Sequence, residues 1–556
     1  MRRSQALAAA IVVMTAVVAG AQMPVDDDLS AGTSYADIAV NAGADFVVAW
    51  SHLGGERFIR RFDAAGGPVS GPIALENTFA RMGLDDLGRL ATVSQESAPD
   101  GHAIVLRRFD AAGNPLGAAF RVNTTPEATE PSVAVAPDGS LVVAWVRGTD
   151  GIGAQRFDAT GAPLGGEIDV SATGSSPDVA IDDTGGFVVV WKGEVLVPDY
   201  GARVFGRRYE AGGVAQDPFL IQADAFAKLT RPRIAMAGDG SFIVSWARWF
   251  SEDISARFYD ALAVPRGPAV AVSGAPTTLD HAPAMDDVGR AVVVWTGIDN
   301  DVRAQRYAAT GIAEGPEITV NTTRSIEAHR RPAVGIVPDS GDFVVAWTRG
   351  LDAKSTQLGP FAYENVVVRR YLASGRALGP STIESRKLLL REPGDPAKKR
   401  LVFKSTSRFV HTAGPEAIDP MADGLQVQIY NSAGTGESIC LDLSNNGSAG
   451  WVAGGNPAAP RFTYVDPLGV NGPCRKMVIR DGRKIALVCK GSGIAYTTDE
   501  GSQGSMTVRI TSGTADFCTD FADHRWKQSV KKDVPGAFVA TSPQVLGCPA
   551  APVACP

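Results

Sequence analysis

One unit recurs seven times in this chain, and that repetition limits the folds open to it more than any other feature. A clear copy runs Pro131-Ser-Val-Ala-Val-Ala-Pro-Asp-Gly-Ser-Leu-Val-Val-Ala-Trp145, followed by Gln155-Arg-Phe-Asp-Ala-Thr-Gly161-Ala-Pro-Leu-Gly165. Short apolar strands in a unit of roughly 50 residues cannot bury their own faces, so the copies must stack on one another, and a closed ring leaves no unpaired edge. Aligned on the residue that ends the second strand, the copies place Trp50, Ser94, Trp145, Trp191, Trp246, Trp295 and Trp347 in register. Each has an apolar strand before a tight acidic or glycine turn, as in Asp37-Ile-Ala-Val40 and Asp178-Val-Ala-Ile181, then a β-branched strand such as Phe187-Val-Val-Val-Trp191. A third strand ends in an arginine and an aromatic: Arg61-Phe62, Arg108-Phe109, Arg156-Phe157, Arg208-Tyr209, Arg257-Phe258, Arg306-Tyr307 and Arg370-Tyr371. A Gly/Pro turn and a fourth short strand complete four strands per unit, the blade of a propeller. The expected fold is all-β, a seven-bladed β-propeller over residues 36–386 joined to a disulfide-containing β-sandwich-like domain.

The pattern Gly-x-Phe-Val-Val-x-Trp, Gln-Arg-Phe-Asp-Ala-x-Gly-x-Pro and Val-Asn-Thr-Thr resembles a repeat of large secreted and surface proteins of bacteria, often adhesin-like. That resemblance implies a propeller-like repeat and brings no catalytic residues with it. The segments Leu401-Val-Phe-Lys-Ser405, Asp499-Glu-Gly-Ser-Gln-Gly-Ser505 and Lys531-Lys-Asp-Val-Pro-Gly-Ala-Phe538 resemble a C-terminal appendage of secreted proteins from soil-type bacteria, again with no activity attached.

The N-terminus has the parts of a secretory signal peptide: Arg2-Arg3, the apolar run Ala6 to Val18, and Ala19-Gly-Ala21 as the cleavage sequence. Residues 1–21 are read as that signal and 22–35 as a lead-in, so the expected location is secreted or extracellular, with the periplasm as the other exported destination. No later stretch is apolar for the ~20 residues that a membrane span needs. A net charge of −7 gives no reason to expect nucleic acid as a partner.

Composition changes near Arg386. Only Lys192, Lys228 and Lys354 of the lysines precede it, and all of Cys440, Cys474, Cys489, Cys518, Cys548 and Cys555 follow it. Residues 387–556 are therefore read as a second domain of about 170 residues. Six cysteines in an exported domain read first as disulfides, with metal binding disfavoured by the absence of a Cys-x-x-Cys pair. One pairing follows from the turn signal Asp481-Gly482, which sets Cys474 opposite Cys489 across a hairpin.

What recurs in every unit is most simply structural, so function is sought where the units differ. The spacing from the aromatic to the following arginine is constant from 50 to 61, 145 to 156, 246 to 257 and 295 to 306, and longer from 94 to 108, 191 to 208 and 347 to 370. In a four-stranded meander this loop and the link between blades share one face of the disc, so one face varies and the other is tight. On the varying side stand Asp199, Tyr200, Trp249, Phe250, Phe361 and Tyr363, aromatic and polar groups of the kind that bind a sugar or peptide. The histidines are scattered, and no zinc-protease, phosphate-loop or nucleophile-elbow motif is present. No catalytic residue, cofactor or metal is therefore assigned. The acid pairs Asp85-Asp86, Asp182-Asp183 and Asp286-Asp287 fall in equivalent hairpins, where turn formation accounts for them better than catalysis. The expectation is a non-enzymatic secreted binder of a glycan, peptide or surface partner; the alternative is a carbohydrate-active hydrolase or lyase with acids in the central channel.

Overall fold

A computed structural model of the chain describes residues 23–25, 33–52, 56–75, 81–148, 151–193, 202–224, 231–248, 253–274, 276–321, 329–350, 364–378, 381–383, 385–407, 410–412, 417–431, 437–443, 450–499, 502–522, 529–541, 551 and 555. Alternating apolar strands and five-residue turns fold into four-stranded antiparallel sheets, of which seven are present among the described residues. In the first six, the strands follow chain order, so each copy of the repeat is one meander. The innermost strands touch in sequence, Thr33–Val40 against Arg81–Leu84, that strand against Ala128–Val135, and onward to His329–Ile336, which returns to Thr33–Val40. A cycle of sheets meeting edge to axis is a β-propeller.

Closure uses the N-terminus. In the seventh sheet the outer strand is Met23–Pro24, paired antiparallel with Glu364–Tyr371, and the Val25 amide donates to the Val366 carbonyl at 2.9 Å. Val25 is buried in the place that Val122, Val272 and Val320 hold in other sheets, where their amides donate in the same way to Ile104, Ile254 and Val302. The lead-in expected over 22–35 thus contributes a sheet strand. Conversely, Ser381–Thr382 leaves the seventh sheet and pairs in parallel with Phe517–Cys518, and Ser385–Arg391 pairs with Arg400–Ser405 and Ala537–Ala540. The change of partners therefore begins ahead of the Arg386 boundary expected from composition.

Two stitches run between neighbouring sheets in opposite directions. Arg61 donates forward to the Gly88 and Asp110 carbonyls of the next repeat at 2.7 and 2.8 Å, and Arg306 to Ala373 at 2.6 Å. Arg370 donates to Ala64 and so links the seventh repeat to the first. In three repeats the residue before the forward arginine faces the other way, and Arg60, Arg207 and Arg369 donate back to Val25, Val170 and Val320 at 2.9, 3.0 and 3.0 Å. Strand register corrects the alignment of the fifth repeat. Phe242 pairs with Tyr259 as Phe187 pairs with Tyr209, so the equivalent residues are Phe258-Tyr259 and not Arg257-Phe258. Arg257 belongs to the backward row and donates to Ile221 at 2.7 Å, while Arg266 takes over the forward contact, to Ala309 at 2.9 Å.

The tryptophans fill the space between sheets. Trp145 is fully buried against Ala91, Val93, Ile104 and Leu106 of the preceding repeat. Gly153 lies opposite it, where a Cβ would come to 3.0 Å from the indole, so a side chain there would require the indole to shift by a few tenths of an ångström. In the second repeat Ser94 replaces tryptophan and the space is used by polar groups: Arg107 donates to Glu96 at 2.5 Å and to Ser94 at 3.0 Å.

Two further sheets, of five and eight strands, share one hydrophobic core that includes Phe403, Val427, Tyr464, Leu487 and Phe517. Disulfides join Cys474 to Cys489 and Cys440 to Cys555, and Cys518 is also disulfide-bonded. The hairpin pairing expected from Asp481-Gly482 is the one observed, with Cα atoms 3.8 Å apart beside a register shift that follows Cys474.

Candidate functional site

The six residues expected to bind, Asp199, Tyr200, Trp249, Phe250, Phe361 and Tyr363, lie outside the described residues. The strands that flank them place their loops. Phe187–Gly193 and Ala202–Tyr209, Phe242–Arg248 and Asp253–Tyr259, and Phe343–Gly350 and Glu364–Tyr371 are consecutive antiparallel pairs. Each of these loops therefore leaves its sheet at the end opposite the turn that precedes the second strand.

That opposite end is uniform and internally satisfied. Every repeat turns there with one residue in the left-handed region, Gly88, Gly139, Gly185, Gly240, Gly289 and Gly341, with Ala44 in the first copy. Buried Asp85 accepts from the Arg89 backbone amide at 2.7 Å and from Arg89 Nε at 2.5 Å; Asp286 holds Arg290 at 2.7 Å for both contacts. Asp182 accepts from the Thr184 and Gly186 amides at 2.9 and 2.8 Å. The first acid of each pair therefore closes its turn. The second acid bridges sheets: Asp86 accepts from Ala42 and Asp287 from Gly238, both at 3.1 Å. Burial first, and then the charges of Asp287, Asp182 and Asp86, push the Asp183 carboxyl above its ordinary range. These acids therefore sense one another, yet no group of three such ligands among the described residues could hold a metal ion.

A second polar layer lies at mid-height on the innermost strands. The residues opposite the position before the tryptophan are Asp37, Arg81, Ser132, Asp178, Arg233, Ala282 and Ala333, one per repeat. An innermost strand has a free edge whose N–H groups need acceptors. Asp178 Oδ2 accepts from the Ile234 amide of the next repeat at 3.1 Å, and Ser132 Oγ donates to Asp178 Oδ1 at 2.6 Å. Asp37 Oδ1 accepts from the Ile38 amide at 3.0 Å, and the Met82 amide of the next repeat also favours its charged form, as the Ile234 amide does for Asp178. Burial pushes the Asp37 carboxyl up to about 6 against the opposing pull of Arg81, and Asp178 adds to the rise. Asp178 moves in the same direction, also chiefly through burial. Sequence reasoning passed over both acids because each opens an otherwise apolar strand. The signal available was their shared place in the repeat, occupied elsewhere by Ser132, arginine or alanine.

A testable consequence is a stability that falls as pH rises. An acid whose carboxyl is raised from 3.8 to about 6 on folding holds its proton more tightly in the native state. Its stabilising effect is full below about pH 4, declines as pH passes through 6, and is gone above, a difference of up to about 3 kcal/mol for Asp37 alone. Asp37→Asn should flatten thermal stability between pH 4 and 7 and raise it at pH 7. An unchanged slope would show that Asp37 is solvated in the folded ring.

No family model and no curated protein matches the chain. Among solved structures, similar folds include the BP39L lectin from Burkholderia pseudomallei, 14% identical with a TM-score of 0.46, covering 63% of this chain and 99% of the lectin. Others are the polysaccharide lyase Uly1, 9% identical with a TM-score of 0.41 over 62% and 90% of the two chains, and the Penicillium chrysogenum alpha-L-arabinanase, 13% identical with a TM-score of 0.37 over 63% and 98%. The architecture rests on strand order and does not lean on these likenesses.

Proposed function

We propose that the protein is an exported seven-bladed β-propeller followed by a disulfide-bearing β-sandwich, and that it binds a glycan or peptide without turning it over. The observation that carries this reading is the contrast between the two ends of the sheets. At one end the turns repeat, and their carbonyls and carboxylates are used by Arg61, Arg89, Arg290 and Arg306 of the fold itself. At the other end the connecting segments 53–55, 149–150, 194–201, 249–252 and 351–363 differ from repeat to repeat. Variation confined to one end of a rigid scaffold is the usual place of a binding surface. Asp199, Tyr200, Trp249, Phe250, Phe361 and Tyr363 are assigned to it.

The mid-height acids support this assignment from the other side, because Asp178 uses both carboxylate oxygens as clasps between sheets. One observation favours a hydrolase or lyase instead. Asp37, raised to about 6 by burial on an innermost strand, has the proton affinity of a general acid or base at neutral pH. A glycan and peptide array probed with the full-length protein and with a variant lacking residues 355–362 tests the assignment. The deletion should leave the fold intact and weaken whichever ligand is retained; unchanged retention would remove the loop from the site.

A further inference from the structure

The eight-stranded sheet has one face in the core and one in water, and its outward face is built against ordinary electrostatic practice. Register places Arg461 opposite Arg480 and Arg480 opposite Lys484, three cations in line across three strands. At the other end of the strands Arg391 faces Arg400 and Arg400 faces Lys490, and between the two rows Lys387 faces Lys404. Their strand neighbours Leu390, Leu401, Phe403, Ile479 and Ile485 point into the core, so these cations stand on the solvent side. Directly opposed like charges weaken a sheet, and three such sets occur together. None of the eight has an ion pair among the described residues. The strands of this sheet carry a single acid, Asp533, and its carboxylate is used by the Ser502 hydroxyl and the Gln503 and Gly504 amides.

The companion five-stranded sheet does the reverse. There Arg509 meets Asp516 at 2.6 Å, and Thr507 donates to Asp520 at 2.7 Å. Charge pairing is thus practised on one sheet and abandoned on the other. A counter-charge from outside the chain resolves the conflict.

We propose that this face binds a linear acidic polysaccharide. Cations in one row are spaced by the distance between strands, ~4.8 Å, which suits a polymer with a carboxylate or sulfate on successive sugars. Aromatics on these strands, Trp451, Phe462, Tyr464, Phe403 and Phe538, are all buried on the core side, so the face offers no platform for stacking nucleic-acid bases. Its central aliphatic residues Val402 and Leu389 are covered, at 6% and 9% exposure, and the exposed ones on these strands, Val452, Val465 and Val534, are short side chains without an exposed aromatic or leucine among them to anchor in a bilayer. The proposal rests on residues 387–490 alone and stands whether or not the propeller loops bind a glycan.

The test uses the full-length protein with polygalacturonate, neutral dextran, phosphatidylglycerol vesicles and single-stranded DNA as probes. Polygalacturonate should be bound at low salt and released as salt rises, and dextran should not be bound. The triple variant Arg461→Gln, Arg480→Gln, Lys484→Gln should weaken polygalacturonate binding about tenfold or more while melting at the same or a higher temperature. Its counterpart Arg461→Lys, Arg480→Lys, Lys484→Arg should keep the affinity. No binding at low salt, equal binding by the glutamine variant, or tighter binding of vesicles or DNA than of polygalacturonate would overturn the proposal.

Discussion

Reductant is expected to lower the melting temperature of residues 387–556 and leave the seven repeated sheets untouched. No cysteine precedes Cys440, so the ring of sheets holds itself by the tryptophan cores, the arginine stitches and the N-terminal strand. The second unit depends on crosslinks. Closing the Cys474–Cys489 hairpin, 15 residues apart, contributes about 3 kcal/mol in the chain-entropy model, and closing Cys440–Cys555, 115 apart, about 5 kcal/mol. Against a total of ~5 to 15 kcal/mol for a domain, loss of both removes much of the margin. Calorimetry with and without reductant should therefore show one transition moving away from a fixed one. A single transition that shifts as a whole would mean that the two units fold as one.

Replacing Trp145 with alanine should destabilise the ring by several kcal/mol. The indole is fully buried between the second and third sheets, and Gly153 leaves no side chain to fill the cavity. Large-to-small changes of this kind cost about 3 to 5 kcal/mol, and thermal or denaturant unfolding reads the loss directly. A melting temperature unchanged by Trp145→Ala would contradict the placement of the tryptophan between sheets. The second repeat shows the alternative that evolution of the repeat permits, since Ser94 is joined there by Glu96 and Arg107 and not by an empty space.

Much of the ring was legible because one pattern is written seven times. The tryptophan spacing and the left-handed turn glycines set the strands before any pairing was known. Closure was not legible: Met23–Pro24 is two residues long, carries neither mark of the repeat, and belongs to a sheet formed at the far end of the ring. The fifth repeat was misaligned by one position because arginines occupy two adjacent rows that face opposite ways. Arg257-Phe258 mimics the forward pair while Phe258-Tyr259 occupies its place. Asp37 and Asp178 read as the polar starts of apolar strands, and only the inward edge of the ring gives their carboxyls a partner to clasp. The cation rows were hidden in part, for another reason. Arg480 and Lys484 face each other across the Asp481-Gly482 hairpin and were within reach of the sequence, but Arg400 meets Lys490 only because Arg400–Ser405 pairs with Lys484–Lys490, a contact that spacing along the chain does not give.

The central claim is that the propeller binds at its variable loops and performs no chemistry in its channel. Its most direct test takes the glycan or peptide retained on the array, incubates it with the full-length protein, and follows new reducing or unsaturated ends together with hydrogen exchange of the bound complex. The account predicts no new ends, with protection confined to 194–201, 249–252 and 351–363. Release of product that is abolished by Asp37→Asn, with protection at the innermost strands, would contradict it.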